Sequence, residues 1–399
     1  MTRQRTGLKL AAALTGVVLL LAGCGGTADN GDTDDGATGG TGGAGTDGGV
    51  EAQTITWWHN SNSSPGKEYY ESVAADFEAM HEGLTIEIEA MQHEDMVTKL
   101  EAAWQSGDTP DIYMERGGGE LADKVEVGLV KDLTDLAADE IGTIGGSVAG
   151  WQVDGRTYAL PFSMGVVGFW YNKDIFADAG IEAPPTTMEE FYAVVDQLKD
   201  AGIDPISVGA GDKWPAAHYW YYFGLRQCSE QVLSDAVTSL DFQDPCFIRA
   251  GEDLEELVAA EPFNPGFLTT VAQAGPTSAS GLLATGRVAM ELAGHWEPGV
   301  MQGLTEDNLG LGEATGWFAF PTVPRGEGDP TATLGGGDAW AVPESSPEIA
   351  VEFTKYLLSD EVQTGFAEQD MGLPTNPGAN SAVSDPALAD LLQVRDDAA

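Results

Sequence analysis

From residue 53 onward the hydrophobic pattern keeps switching between period two and period 3.6, and that alternation limits the folds open to the chain. "TITWWH" reads as a strand. "KEYYESVAADFEAMHEG" then sets Tyr70, Val73, Ala74 and Phe77 on one helical face and stops at Gly83. "LTIEIEAM" returns to a strand, "HEDMVTKLEAAWQSG" to a helix ending at Gly107, and "PDIYMER" to a strand running into Gly117–Gly119. Strands alternating with helices imply an α/β protein with largely parallel sheets. Such sheets bind ligands beyond the carboxyl ends of their strands. His59, Asn60 and Ser61 after the first strand, and Glu115 and Arg116 after the third, are therefore the first candidates. Trp57 and Trp58 are neighbours on the first strand and must point to opposite faces. One should pack in a core while the other looks toward the strand-end site, and an error of one residue in strand phase exchanges the two.

Further along, Thr187 and Glu190 form a capping-box signature. The aromatic segment "KWPAAHYWYYFGLR" reads as a helix entered through Trp214 and Pro215, and "SPEIAVEFTKYLLSDEVQTGFAEQD" as one long helix. No internal repeat is visible.

The amino terminus addresses location. Arg3, Arg5 and Lys9 precede the apolar run "LAAALTGVVLLLAG", which is shorter than the roughly 20 residues of a membrane-spanning helix and fits a secretory signal peptide over 1–23. "LAGC" resembles the bacterial lipobox, whose cysteine, here Cys24, is lipidated and becomes the mature terminus. A plain signal peptide with a chance cysteine is the alternative. The Gly-, Thr- and Asp-rich residues 24–52 hold too little apolar surface to fold and read as a flexible tether. The implied location is the outer face of the cell membrane, through the lipid alone.

Of 399 residues about 350 remain for folding, enough for two domains. The formal charge of −46 argues against nucleic acid or an anionic membrane surface as partner. Cys228 and Cys246 are the remaining cysteines; outside the cytoplasm they suit one structural disulfide, worth on the order of 3 kcal/mol, with two buried thiols as the alternative. The five histidines are too scattered for a metal motif, so no metal and no cofactor is expected.

Seven segments occur in a telling order: "PDIY", "GLVKDLT", "ALPF", "GFWYNKDIFADAGIEAPPTTMEEF", "GRVAMELAGHW", "GGGDAWAV" and "AVEFTKYLLSDEVQ…GLP". Together they resemble the family-1 extracellular solute-binding proteins of ABC importers, the group that includes maltose-binding protein, over nearly all of residues 54–377. That resemblance implies a periplasmic-binding-protein-like fold of two α/β lobes joined by crossing hinge segments, with sugar in the cleft. By this analogy residues 53–161 with about 313–358 form one lobe, and 162–312 with about 359–399 the other. It implies no enzymatic activity, a monomer, an oligosaccharide ligand and a membrane permease as partner. "WWHNSN", "MERGGGELAD" and "KWP" further resemble actinobacterial binders of short β-linked sugars such as xylobiose or cellobiose.

A pyranose offers a C–H face for stacking on an indole and a rim of hydroxyls for planar polar groups. The family pattern implies that Trp57 packs in the core and that Trp58, at the strand's end, faces the cleft, while Trp214 and Trp296 are the stacking candidates from the second lobe, Trp296 because "AGHWEP" matches the family's Gly-x-Trp segment. The glycine-rich "GGGD" reads as a turn whose amides, with Gly337 and Asp338, meet hydroxyls from the hinge side. Two other readings remain: a cell-surface glycosidase, which needs two opposed carboxylates, and the same fold holding a polyamine or peptide.

Overall fold

The computed structural model describes residues 52–398. Eleven strands appear in it: β1 (Gln53–His59), β2 (Leu84–Ala90), β3 (Ile112–Glu115), β4 (Gln152–Val153), β5 (Arg156–Thr157), β6 (Ala159–Val166), β7 (Gly168–Asn172), β8 (Asp204–Ser207), β9 (Val288–Ala293), β10 (Thr315–Phe318) and β11 (Gly335–Ala341). The first sheet has the order β2-β1-β3-β11-β6 and the second β10-β7-β9-β8, with β4 and β5 as a separate hairpin. β1 runs parallel to β2 and β3, and β8 parallel to β9. β11 is antiparallel to β3 and β6, and β7 to β9 and β10. The sheets are thus mixed rather than largely parallel, because β6 and β11 run against each other as they pass from one core to the next.

The first sheet is covered on both faces. Trp57 is fully buried, with its ring centroid 5.1 Å from Tyr70, 5.2 Å from Trp340 and 5.1 Å from Phe353. Trp58, on the opposite face, packs with Leu100, Tyr113, Leu121 and Trp151. Helix Gly66–Met80 closes the first face through the Tyr70, Val73, Ala74 and Phe77 stripe that its periodicity predicts. Helices His93–Ser106 and Gly119–Glu126 close the second. Each buried indole removes about 200 Å² from water, worth roughly 5 kcal/mol before entropic losses.

The second sheet is likewise enclosed. Phe169, Phe191, Ile206, Tyr222 and Phe320 fill one side, and Trp170, Leu283, Met301, Leu388 and Leu391 the other. Thr187 caps helix Met188–Asp200 with Glu190 completing the capping box, as the sequence predicts. Helix Trp214–Gln227 starts at its Trp-Pro pair. The Cys228–Cys246 disulfide is formed, joining the end of that helix to the start of helix Pro245–Ala259.

Three assignments made from sequence differ. β10 pairs with β7, and Phe318 and Phe320 stack on Phe169, so residues 315–320 join the second core and not the first. The segment after Pro347 is two helices, Glu348–Tyr356 and Asp360–Glu368, because Ser359 accepts the Val362 N–H and starts a new helix. Val362 and Phe366 of the second of these pack in the first core, so that helix belongs with the first lobe and not with the second, to which about 359–399 were assigned. The chain then crosses again, with Leu373 in the second core and Thr375 Oγ1 donating to the Pro161 carbonyl at 2.6 Å. Helix Pro386–Ala398 finishes against the second sheet.

Candidate functional site

The carboxyl ends of β1, β2 and β3 converge with the exposed part of β11. β3 pairs with β11 only from Ala339 to Ala341, and Glu115 lies opposite Ala339. Arg116 is therefore the residue that leaves the sheet beside Asp338. Its guanidinium acts on Asp338, on His93 and on His218. Arg116 Nη2 meets His93 Nε2, at the start of helix His93–Ser106 just beyond β2. His218 comes from helix Trp214–Gln227 over the second sheet, so Arg116 stands between the two sheets and the space there is the candidate ligand cleft.

The second sheet supplies aromatic rings to this space. Trp214 lies edge-on to Trp296 at 6.1 Å and 5.3 Å from the His218 ring, one helical turn along. Both indoles stay partly exposed. Trp214 Nε1 donates to Glu94 Oε1 at 2.9 Å, a bond from the second module to the first. The Trp296 ring sits over Gly336 of β11.

Charge in the cleft is set chiefly by burial. Burial lifts Asp338 to about 6, against the pull of Arg116. Burial lowers His93 to about 3 and His218 to about 4, with Arg116 adding to both. At neutral pH the cleft thus holds one guanidinium, one carboxylate at Asp338, the Glu94 carboxyl and neutral imidazoles, all able to engage hydroxyls.

The other sequence candidates differ in how open they are. Trp58 is packed rather than open: it is 6 % exposed, with Lys99 Nζ 4.2 Å from its ring centre. Both indoles of β1 are core residues because helices cover both faces of the sheet. His59 is buried between Trp57 and Tyr70, at 4.6 and 5.1 Å, and burial holds it neutral at about 3. Asn60 and Ser61 are half-buried in the loop that follows. Glu115 is turned inward and 1 % exposed; Lys124 Nζ donates to it at 2.6 Å, and Trp151 Nε1 to its carbonyl at 3.1 Å. Glu115 is therefore a buried ion pair supporting the wall, and burial raises its carboxyl.

"GGGD" is strand rather than turn. Gly335 to Asp338 pair with Val166 to Ser163 of β6, leaving the edge beyond β3 unpaired by any strand. A Cβ at Gly337 would lie 2.4 Å from the Ser163 carbonyl oxygen, so a side chain there would push β11 off β6. Cys24 lies outside the described residues. Among the described residues no helix is long and apolar enough to cross a membrane, and no group of three or more His, Cys, Asp or Glu is placed to hold a metal ion.

Three cleft residues were not singled out from the sequence: His93, Glu94 and His218. The strand-end rule that selects Asn60 and Arg116 also selects "HED" after β2. His218 is marked by its position four residues after Trp214 on the same helical face.

The profile of the family described as bacterial extracellular solute-binding protein matches residues 60–364. The diacetylchitobiose binding protein DasA of Streptomyces coelicolor is 28% identical over 396 residues, covering 96% of this chain and 85% of that one. The alpha-glucosides-binding periplasmic protein AglE of Rhizobium meliloti is 24% identical over 306 residues, 71% of this chain and 66% of its own. A structure from work on xylan utilization by Caldanaerobius polysaccharolyticus superposes with TM-score 0.78 at 24% identity, covering 86% of this chain and 87% of that one. A chitin oligosaccharide binding protein superposes with TM-score 0.75 at 23% identity, covering 86% of each chain. The two-lobe fold is common to these structures and this one. With its profile match spanning most of the sequence, the chain belongs to the bacterial extracellular solute-binding protein family, whose members bind solutes and are not enzymes.

Proposed function

We propose that this protein is the substrate-binding subunit of an ABC importer and captures a short oligosaccharide, with β-linked disaccharides such as xylobiose or cellobiose favoured. The observation that carries the reading is the pairing across one cleft of two partly exposed indoles, Trp214 and Trp296, with the hydroxyl-binding groups Arg116, Asp338 and Glu94. A sugar ring presents one apolar face and one polar rim, and that set serves both. The names of relatives add support, since they include binders of diacetylchitobiose and of alpha-glucosides. The first lobe comprises about residues 53–162 with 339–368, and the second about 167–334 with 372–398; β6, β11 and the Met371–Thr375 segment form the hinge. Sugar bridging the lobes favours the closed form by no more than its preference for that form. Lipidation of Cys24 and the following tether would hold the binder near its permease on the outer face of the membrane.

Calorimetric titration of the purified protein with xylobiose, cellobiose, diacetylchitobiose and maltose tests this. One-to-one binding with the sugar recovered intact is the expected result. Absence of heat with every sugar, or recovery of cleaved sugar, contradicts it. Substituting Cys24→Ala is expected to release the protein into the medium; unchanged retention at the cell would remove the lipid anchor from the account.

A further inference from the structure

Behind Trp296 lies a second set of ionisable groups that the cleft does not use. Glu291, on β9, is 3 % exposed, and Glu297, the first residue of helix Glu297–Gly303, is fully buried. Ser280 Oγ, from helix Ala279–Ala284, lies 3.1 Å from Glu297 Oε2 and 3.5 Å from Glu291 Oε1. Ser280 Oγ thus bridges the two carboxyls, and the buried Glu291 Oε2 and Glu297 Oε1 find no other hydrogen-bond partner. Ser207 stands opposite Glu291 in the β8–β9 register, and Tyr219, from helix Trp214–Gln227, feels the Glu291 charge. Of these neighbours only Tyr219 titrates. Among the described residues neither carboxyl forms an ion pair with a lysine, arginine or histidine.

Two carboxylates in contact in an uncompensated interior cannot both ionise cheaply, so one proton stays between them. Burial pushes both upward, Glu297 to about 8.

The pair also has a mechanical consequence. Glu291 and Glu297 flank the Gly294–Trp296 turn, so a proton held between them ties the strand before the turn to the helix after it. Inside this loop the Glu297 N–H donates to the Gly294 carbonyl at 3.1 Å, and Trp170 Nε1 donates to the same oxygen at 2.9 Å. The Trp296 ring folds back over Gly294, where a Cβ would lie 2.3 Å from ring carbons. The ring therefore goes where the turn goes.

We infer that Glu291 and Glu297 are positioning residues for ligand binding: one shared proton staples β9 to the following helix, holds the Trp296 ring ready to stack, and its loss at alkaline pH loosens the ring and releases the ligand. This inference rests on the sugar-binding reading. When the proton leaves, two buried negative charges repel, and the turn between them carries Trp296 out of register.

The test is titration of the full chain with its tightest-binding disaccharide from the panel above between pH 6 and pH 10, for the native sequence and for Glu297→Gln. In the native protein the Kd is expected to hold to about pH 8 and then rise about tenfold per pH unit. In the variant the amide still donates to Glu291 but carries no titrating proton, so that rise is absent. A native Kd flat to pH 10, or the same rise in the variant, overturns the proposal. Near-UV circular dichroism without ligand, over the same pH range, supplies a readout independent of any sugar. A spectral change above about pH 8 that is lost in both Glu297→Gln and Trp296→Phe supports the staple. No change in the native protein overturns it, whatever the ligand proves to be; if Glu297→Gln fails to fold, Glu291→Gln takes its place in both measurements.

Discussion

The two walls of the cleft are made of different chemistry. The first wall, from the ends of β2, β3 and β11, brings His93, Glu94, Arg116 and Asp338; the second brings Trp214, His218 and Trp296. The difference is one of position as much as residue type. Indoles on β1 are locked into cores on both faces of a covered sheet, whereas Trp214 and Trp296 stand at helix starts and stay partly exposed. A tryptophan that helices cover on its sheet face is committed to the core, whereas one at an element's end keeps surface free for other contacts.

That contrast is open to direct attack. Replacing the core indole, Trp57→Ala, is expected to lower unfolding stability by about 3–5 kcal/mol in denaturant melts, with the folded fraction still binding ligand. Loss of affinity with unchanged stability would make Trp57 a ligand residue and break the distinction. Trp296→Ala is expected to do the reverse, weakening the Kd by about 30-fold or more, as removal of a buried aromatic anchor worth about 2 kcal/mol does. Calorimetry showing native affinity would remove the second wall from recognition.

Asp338 sharpens the polar side. Its carboxyl titrates near 6 in the free protein. If the ligand's hydroxyls donate to the ionised form, affinity is lost as pH falls through that value, by about tenfold from pH 7 to pH 5. Asp338→Asn flattens this limb of the profile; an unchanged acid limb would mean that another group is responsible. This acid limb is separate from the alkaline one assigned to Glu291 and Glu297. Their values lie above the ordinary carboxylate range, so the stability they contribute is full below about pH 4 and lost as pH rises through about 8. The smallest effect is expected at the bond across the cleft. Trp214→Phe keeps a ring and deletes the donor to Glu94, costing about 1 kcal/mol, or fivefold in Kd. No change would mean that the bond contributes nothing to closure.

How much of this was legible in the sequence varies with physical cause. Strand and helix periodicity, the Thr187 capping box and the Cys228–Cys246 pair are local signals, and the structure carries all of them. Trp214 and Trp296 were named from a helix start and a Gly-x-Trp segment, and both are partly exposed. Trp58 and Glu115 could not be placed, since burial depends on helices distant in sequence that cover the sheet. β10 was assigned to the wrong core for the same reason: its partner, β7, lies more than a hundred residues earlier, and nothing local in "TGWF" selects it. His93 and His218 were within reach of rules already applied to their neighbours.

The central claim is that both walls hold one ligand. Its most direct test is calorimetric titration of the native protein, Arg116→Gln and Trp296→Ala with the same disaccharide under the same conditions. The account predicts one site in the native protein and weaker binding in both variants, with folding intact. Weakening in only one of them, with native affinity in the other, would contradict it and confine recognition to a single wall.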